Sequence, residues 1–169
     1  MRIIIALIAL LLLAGCTTAP TKQFSNFDNA PISKWEPAAG NVEKAINFIA
    51  TQDKVAETNS FINANYRYVT DQDLYGKSDY WATPKEFAQK QAGDCEDFAI
   101  AKYATLVQNG IAKKDMRLLL VKQKDGQYHA ILEVNYKGKL HFLDNKTNTT
   151  TWNETYTVVY AVNDFGTWH

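Results

Sequence analysis

The feature that most constrains this chain is a long apolar stretch at residues 98–108, which directly follows Gly-Asp-Cys-Glu-Asp at residues 93–97. The stretch is apolar nearly all round instead of along one stripe, a pattern typical of a helix buried on every side. Asn109 and Gly110 supply the stop signal at its C-terminal end. We therefore predict that this helix is the centre of the fold.

Cys95 falls at the first position of this predicted helix, with Asp94 before it as a potential N-cap. The thiol then lies over the positive end of the helix dipole, a position that favours the nucleophilic thiolate. Cys16 is the only other cysteine, and processing accounts for it, as described below. Cys95 is therefore the candidate nucleophile.

Three acidic residues, Asp94, Glu96 and Asp97, crowd the same place. A carboxylate about 6 Å from the sulfur costs the thiolate about 2 to 3 kcal/mol at an effective dielectric near 20, whereas the helix end contributes only about 0.3 to 1 kcal/mol. Either these carboxylates point away or a cation neutralises them, and hard oxygen ligands favour Ca²⁺ over Zn²⁺. The alternative needs no cation: Asp94 and Asp97 would form a capping box, in which the side chain of each residue accepts a hydrogen bond from the backbone N–H of the other.

The N-terminus resembles that of bacterial lipoproteins. Arg2 and an apolar run at residues 3–13, too short to span a bilayer, lead into Leu-Ala-Gly-Cys at residues 13–16. The resemblance implies a signal peptide at residues 1–15, lipidation of Cys16 and, since Thr17 follows the cysteine, an outer-membrane lipoprotein facing the periplasm. The alternative is an ordinary signal peptide with a stray cysteine.

Residues 16–40 hold three of the four prolines and little periodicity, which indicates a tether between the lipid and a domain at residues 41–169. Eighteen basic and eighteen acidic residues cancel, so the charge does not point to nucleic acid as a partner.

The first half of the domain is predicted to be helical. Residues 42–50 and 55–66 show helical spacing, and Thr-Pro-Lys-Glu at residues 83–86 has the signature of a helix start. Between them, Asp71, Asp73 and Asp79 are assigned to a polar loop.

The second half is predicted to be a sheet. Strand patterns cover residues 117–123, 128–136, 139–144 and 155–162, with hairpin signals at Asp125-Gly126 and Lys137-Gly138. Helices followed by an antiparallel meander predict an α+β fold.

A thiolate nucleophile needs a base and a group that orients the base. If Lys137-Gly138 forms the hairpin turn, the residue numbers of two directly opposite residues add up to 275, so that Ile131 faces Asp144. His129 lies two residues before Ile131 on the same face of the sheet and is therefore the diagonal neighbour of Asp144. Diagonal neighbours lie about 7 to 8 Å apart, within reach of paired side chains. His141 faces the other side of the sheet. Glu133 is an alternative third member, and His169, at the chain end, is expected at the surface.

Residues 93–103, with residues 80–84 before them and residues 127–130 and 143–145 after them, resemble the bacterial transglutaminase-like cysteine proteinases, the LapG-like periplasmic proteases. The likeness covers residues 42–169. It implies a papain-like or transglutaminase-like fold in which Cys95 attacks, His129 is base and then acid, and Asp144 orients His129.

The same resemblance implies that Asp94, Glu96 and Asp97 bind Ca²⁺, which activity requires. It also implies a protein substrate, with a surface adhesin as one candidate, and regulation by an inner-membrane receptor of the LapD type. The function predicted for the chain is therefore that of a calcium-dependent cysteine endopeptidase.

Three other functions fit the same sequence. An amine could capture the thioester, which would give amide transfer. A cell-wall peptidase is a further alternative, although such enzymes usually show Asp-Cys-Ser-Gly at the nucleophile. A non-catalytic, lipid-anchored binding module would keep the fold and have an inert thiol at Cys95.

Overall fold

The computed structural model describes residues 53–164 and 166–168. The predicted signal peptide, the lipidation site Cys16, the tether, the helical pattern at residues 42–50 and His169 therefore lie outside the described residues. The described elements follow one another as α1 (Lys54–Asn65), β1 (Arg67–Tyr68), α2 (Asp71–Tyr75), α3 (Pro84–Lys90), β2 (Ala92–Gly93), α4 (Cys95–Gln108), a 3₁₀ turn (Lys113–Asp115), β3 (Met116–Lys122), β4 (Tyr128–Tyr136), β5 (Lys139–Leu143), β6 (Thr157–Asn163) and β7 (Gly166–Trp168).

Helix α4 is the buried centre of the fold, as its composition predicts. Every residue from Cys95 to Leu106 is buried. The helix begins after Asp94 as N-cap, and Gly110 follows its C-cap with a positive φ of 80°. The predicted start and end of this helix are both confirmed.

The main sheet is antiparallel in the order β5-β4-β3-β6-β7. The meander prediction is confirmed for β3, β4 and β5, but it is wrong for β6, which pairs with β3 instead of following β5. A two-residue turn forces adjacent strands to pair, whereas residues 144–156 are long enough to carry the chain back across the sheet. Strand β7, with three residues, is too short to leave a pattern in the sequence.

The polar loop predicted around Asp71 is wrong in its first part, because residues 71–75 form the short helix α2. Thr70 caps this helix by accepting from the Asp73 N–H, and Gly76 ends it in the left-handed conformation. Five residues are too few for a periodic pattern, so only the two cap residues could have indicated this helix.

The core lies between α4 and one face of the sheet. Ala99, Ile100 and Tyr103 of α4 pack against Leu132 and Val134 of β4. The opposite face carries a smaller apolar cluster, which comprises Leu119, Val121, Ile131, Tyr156 and Ala161. None of the helices in the described part of the chain is long and apolar enough to cross a membrane.

Strand β2 leads directly into α4, and its Gly93 leaves no room for a side chain. A Cβ at this position would overlap Asp97 Oδ2 and would lie 2.7 Å from Asp97 Cβ and 2.8 Å from Phe87 Cδ2. We therefore expect Gly93→Ala to lower the free energy of unfolding by about 1 to 3 kcal/mol, as overpacking in a core does. Urea denaturation measures this.

Gly126→Ala is the control for this prediction, because Gly126 has open space around it and only a positive φ of 86° to accommodate. Gly93→Ala, unlike the control, is also expected to weaken cation binding, because it displaces Asp97. Equal behaviour of the two variants would contradict the prediction.

Candidate active site

Cys95 is presented at the start of α4, where it is 2 % exposed. The strand before it is held by parallel pairing of Tyr68 with Gly93, and the Val69 N–H donates to the Gly93 carbonyl at 2.9 Å. The Cys95 thiol donates to Glu96 Oε2 at 3.2 Å. A carboxyl group is thus in direct contact with the sulfur.

His129 and Asp144 form a buried pair. Nε2 of His129 lies 2.8 Å from Oδ1 of Asp144, and the imidazole is 2 % exposed. The Tyr156 hydroxyl donates to Asp144 Oδ2 at 2.9 Å, and the Lys146 N–H donates to Oδ1 at 2.9 Å. Burial works to raise the pKa of Asp144, but the bond and charge supplied by His129, with these other donors, hold the pKa below its usual value.

This pair arises from the register that the sequence predicts. Tyr136 is opposite Lys139, and the pairing continues without a bulge to Leu132 opposite Leu143. The turn residues Lys137 and Gly138 both have positive φ, as a two-residue hairpin turn requires. The predicted contact between His129 and Asp144 is therefore present.

The alternative residues are engaged elsewhere. His141 is opposite Val134, and its Nδ1 lies 3.1 Å from the Thr150 hydroxyl. The Glu133 carboxylate accepts two bonds from Arg117, at 2.5 and 3.1 Å.

The C-terminal ends of α4 and β4 lie close to the same side chain of α1. Lys54 Nζ donates to the Asn109 carbonyl at 2.7 Å and lies 5.6 Å from the centroid of the Tyr136 ring. The last residues of the helix and the strand are thus neighbours.

The His129 side chain lies on the face of the sheet that is directed away from the body of α4. Leu132 and Val134 pack against that helix, and side chains alternate along a strand. His129 shares its face with Ile131, and its ring stacks edge-to-face on Tyr156, with centroids 5.8 Å apart. The structure therefore brings His129 to Asp144 and Cys95 to Glu96.

A cluster of buried carboxylates surrounds the start of α4. Asp94, Glu96 and Asp97, the ligands predicted from the sequence, are all buried, and Asp71 of α2 joins them. Three sets of potential ligand atoms lie within 4.8 Å of one another, namely Asp94-Cys95-Glu96, Asp71-Asp94-Asp97 and Asp71-Asp79-Glu96. Asp71 and Asp79 were not in the predicted ligand set, because only the fold carries them to α4.

Some oxygens of the cluster bind backbone amides and others do not. Asp97 accepts from the Ala82 N–H at 2.8 Å and, more weakly, from the Asp94 N–H at 3.4 Å, a bond that belongs to the predicted capping box. The Tyr80 N–H donates to Asp71 Oδ2. Oδ1 of Asp71 and Oδ1 of Asp94 are buried without a hydrogen-bond partner among the described residues. The capping box and cation binding are thus compatible, because the oxygens that accept from backbone N–H groups differ from those that are left for a cation.

The carboxylates raise one another's proton affinity. Burial, followed by the charge of Asp94, raises the pKa of Asp71 to about 7 and that of Asp97 to about 8. Burial also raises the pKa of Asp94, and burial together with the charges of Cys95 and Asp94 raises that of Glu96 well above its usual range. A protein gains little from such a cluster unless positive charge is supplied to it.

The residues fit a hard divalent cation. Two of the three ligand sets contain only oxygen ligands. Two of the buried oxygens, Asp71 Oδ1 and Asp94 Oδ1, have no hydrogen-bond partner among the described residues. Ca²⁺ takes six to eight oxygen ligands in flexible geometry, which suits carboxylates from separate elements. Zn²⁺ prefers histidine and thiolate, and Cys95 is the only such ligand in these sets.

The raised pKa values predict how stability depends on pH. Asp71 and Asp97 titrate near 7 and 8 in the folded protein but near 3.9 in an unfolded chain, so between these values the folded state binds more protons. Their contribution is fully present below about pH 4 and is lost as the pH rises through 7 to 8. We expect Tm of the ion-free protein to fall between pH 5 and pH 8.5, as measured by circular dichroism.

Saturating Ca²⁺ should remove most of this fall, because the cation replaces the protons. Asp71→Asn should flatten the pH dependence of the ion-free protein. A Tm that rises over the same pH range would contradict the assigned direction.

Comparison with known proteins gives one family and a set of similar structures. The sequence model described as bacterial transglutaminase-like cysteine proteinase matches residues 14–168. No curated protein gives a significant match. Calcium-bound LapG of Legionella pneumophila is similar in structure, with 28 % sequence identity and a TM-score of 0.65 over 81 % of this chain and 82 % of that one.

An EGTA-treated structure of Legionella pneumophila LapG is similar to the same degree. Its TM-score is 0.64 at 27 % identity, over 81 % of this chain and 80 % of that one.

Proposed function

This chain belongs to the bacterial transglutaminase-like cysteine proteinases and is a cysteine peptidase, and on that premise we propose that it is a calcium-dependent endopeptidase with Cys95, His129 and Asp144 as its triad. Two observations support the proposal: the buried acidic cluster around the Cys95 thiol and the buried His129–Asp144 pair.

Asp144 fixes the tautomer of His129 in this proposal. Because Nε2 of the ring is bound to the Asp144 carboxylate, the neutral ring carries its proton on Nε2 and has Nδ1 free of it. Nδ1 is then the atom that takes the proton of Cys95. The hydrogen bonds from Tyr156 and Lys146 fix the carboxylate, which in turn fixes the ring.

The reaction follows from these assignments. The Cys95 sulfur attacks the peptide carbonyl, His129 passes its proton to the leaving amine, and a thioester forms on Cys95. Water, deprotonated at Nδ1 of His129, then hydrolyses the thioester and regenerates the thiol. We assign stabilisation of the oxyanion to backbone N–H groups at the start of α4, because the first turn of a helix leaves its N–H donors without partners inside the helix.

Asp94, Glu96 and Asp97, with Asp71 and Asp79, would hold the calcium ion. When bound, the ion supplies the positive charge that offsets the carboxylates around the sulfur. Glu96, which is in contact with the Cys95 sulfur, would be one of the ligands of that ion. Similarity to calcium-bound and EGTA-treated LapG structures supports this assignment.

The proposed location follows from the lipoprotein-like N-terminus. A lipid on Cys16 would hold the enzyme at the outer membrane, facing the periplasm, and residues 16–40 would act as its tether. The substrates would then be periplasmic or outer-membrane proteins, with a surface adhesin as one candidate. An inner-membrane receptor of the LapD type would be a regulatory partner.

Mapping new protein termini tests the proposal. The full chain with Cys16→Ser is incubated with periplasmic and outer-membrane proteins, with and without Ca²⁺, and the products are analysed by mass spectrometry. New N-termini should appear only with Ca²⁺, and Cys95→Ala should produce none. Products joined to an amine, in place of chains split by water, would instead indicate amide transfer.

A further inference from the structure

Helix α1 presents two asparagines to the loop that begins at Asp144. Asn59 and Asn63 are four residues apart, so they lie on one face of the helix. Asn59 is 0 % exposed, and burial of an amide costs free energy unless hydrogen bonds compensate for it. Asparagine is also a poor helix former. Neither packing nor helix propensity accounts for this pair, which indicates a role for the two amide groups.

Both amide groups bind the loop. Asn59 Nδ2 donates to the Thr147 carbonyl at 2.9 Å. Asn63 Nδ2 donates to the Asp144 carbonyl at 2.9 Å and to the Thr147 carbonyl at 3.0 Å, and it lies 3.1 Å from Asn148 Oδ1. Carbonyl oxygens only accept hydrogen bonds, so the group that meets them must be the NH₂ of the amide. Helix α1 thus holds both ends of the segment from Asp144 to Thr147.

The hydrogen bond from Asn63 acts where the sheet ends. Strand β5 ends at Leu143, and the last pair of the β4–β5 ladder is Leu132 with Leu143. Asp144 therefore lies one residue beyond the ladder, at the start of a loop, and loops are more mobile than the strands they follow. The bond from Asn63 to the Asp144 carbonyl restrains the backbone at the first residue that strand pairing no longer restrains.

The backbone of this segment sets the direction of the Asp144 carboxylate. The Lys146 N–H, two residues on, donates to Asp144 Oδ1 at 2.9 Å and so forms an Asx turn. The same oxygen lies 2.8 Å from His129 Nε2, whereas Tyr156 donates to the other oxygen, Oδ2. One carboxylate oxygen thus joins the loop backbone to the histidine ring, so a displacement of the loop would displace the partner of the ring.

We propose that Asn63 is a positioning residue for the reaction and that Asn59 supports it. Their amide groups fix the backbone of the loop, so that the Asx turn keeps Asp144 Oδ1 on His129 Nε2 and leaves Nδ1 of the ring available to the nucleophile. The inference rests on the proposed triad. It adds a polar contact from α1, a helix that contributes none of the three triad residues.

Asn63→Leu tests the proposal in the full chain with Cys16→Ser, because leucine has a similar size, favours a helix and has no N–H to donate. We expect kcat of the Ca²⁺-loaded enzyme to fall about tenfold or more with KM nearly unchanged, since a displacement of about 1 Å at a catalytic group can cost about 100-fold in rate. Asn63→Ala, which also lacks the donor and favours a helix, should show the same loss of kcat. It replaces the leucine variant if that variant does not fold.

Two control variants of α1 separate positioning from a simple loss of stability. Asn65→Leu removes an amide whose Nδ2 donates to the Phe61 carbonyl, within the same helix, at 2.8 Å. Lys54→Met removes the bond from Lys54 Nζ to the Asn109 carbonyl at 2.7 Å, which ties the first residue of α1 to the end of α4. Both controls should keep the wild-type kcat, although Lys54→Met should lower Tm. A wild-type kcat in the test variant, or an equal loss in either control, would overturn the proposal.

NMR of ¹⁵N-histidine-labelled protein gives a test that needs no substrate, because it shows which ring nitrogen carries the proton. The neutral His129 ring of the wild type should be protonated on Nε2, which is bound to the Asp144 carboxylate. Asn63→Leu should give a mixture of the two tautomers, whereas Asn65→Leu should keep the wild-type form. An unchanged tautomer in the Asn63 variants would overturn the proposal. Absence of any cleavage by the wild type would count against the proposed function alone, because the NMR result still tests Asn63.

Discussion

Cys95→Ala is expected to lower kcat/KM for any cleaved peptide by at least about 10⁴-fold while the protein stays folded. The substitution removes the atom that forms the thioester and deletes one buried sulfur from a helix that alanine favours, so its effect on stability is small. Peptide cleavage followed by mass spectrometry measures the loss, and circular dichroism checks the fold. His129→Ala should cause a loss of similar size, because residues that act as a unit have non-additive effects.

His141→Ala is the matched control for His129→Ala. Both side chains are buried in the same pair of strands, and His141 is bonded to Thr150 on the other face of the sheet. Its removal should cost stability without changing the chemical step. Activity that survives Cys95→Ala, or that falls equally in the two histidine variants, would contradict the proposed triad.

Removal of calcium is expected to reduce activity by about 100-fold or more, and addition of calcium is expected to stabilise the fold. A ligand at 100 times its Kd raises the free energy of unfolding by about 2.7 kcal/mol if it binds the folded state alone. EGTA titration followed by Ca²⁺ addition measures activity, and thermal melting measures stability. Activity that is indifferent to the chelator would remove the metal and leave the triad.

Asp71→Asn is expected to change both the stability of the ion-free protein and the Ca²⁺ concentration that activity requires. The substitution removes one charge from a buried, mutually repelling cluster, so the ion-free protein should become more stable. It also removes a carboxylate ligand, so the Ca²⁺ concentration needed for activity should rise about tenfold or more.

Asp73→Asn is the control for Asp71→Asn, since Asp73 lies in the same short helix with an exposed side chain. It should leave both the ion-free stability of the cluster and the Ca²⁺ requirement close to those of the wild type. If Asp71→Asn and Asp73→Asn respond alike to Ca²⁺, Asp71 is not a ligand.

Local chemistry made much of this fold predictable. The all-apolar pattern and the flanking cap residues placed α4, because both act within one helix. Lys137-Gly138 set the register of β4 and β5, because two positive φ values define the turn and the turn defines every pair beyond it. The contact between His129 and Asp144 follows from that register.

Sequence spacing could not predict the partners that come from distant elements. Asp71 and Asp79 join the acidic cluster because α2 and the segment after it pack near the start of α4. The sequence of a polar segment carries no pattern that predicts which helix it packs against. The position of β6 beside β3 could not be predicted for the same reason. The connection before β6 has thirteen residues, and a connection of that length does not determine which strand β6 pairs with.

The sequence by itself determined the nucleophile at a helix start, the acids beside it and the histidine–aspartate pair of the hairpin, because each depends on residues a few positions apart or on one tight turn. Only the tertiary structure decided that Asp71 completes the cluster and that Glu96 holds the thiol. These depend on burial and on distances through space, which the packing of α4 against its neighbours sets and the order of residues does not.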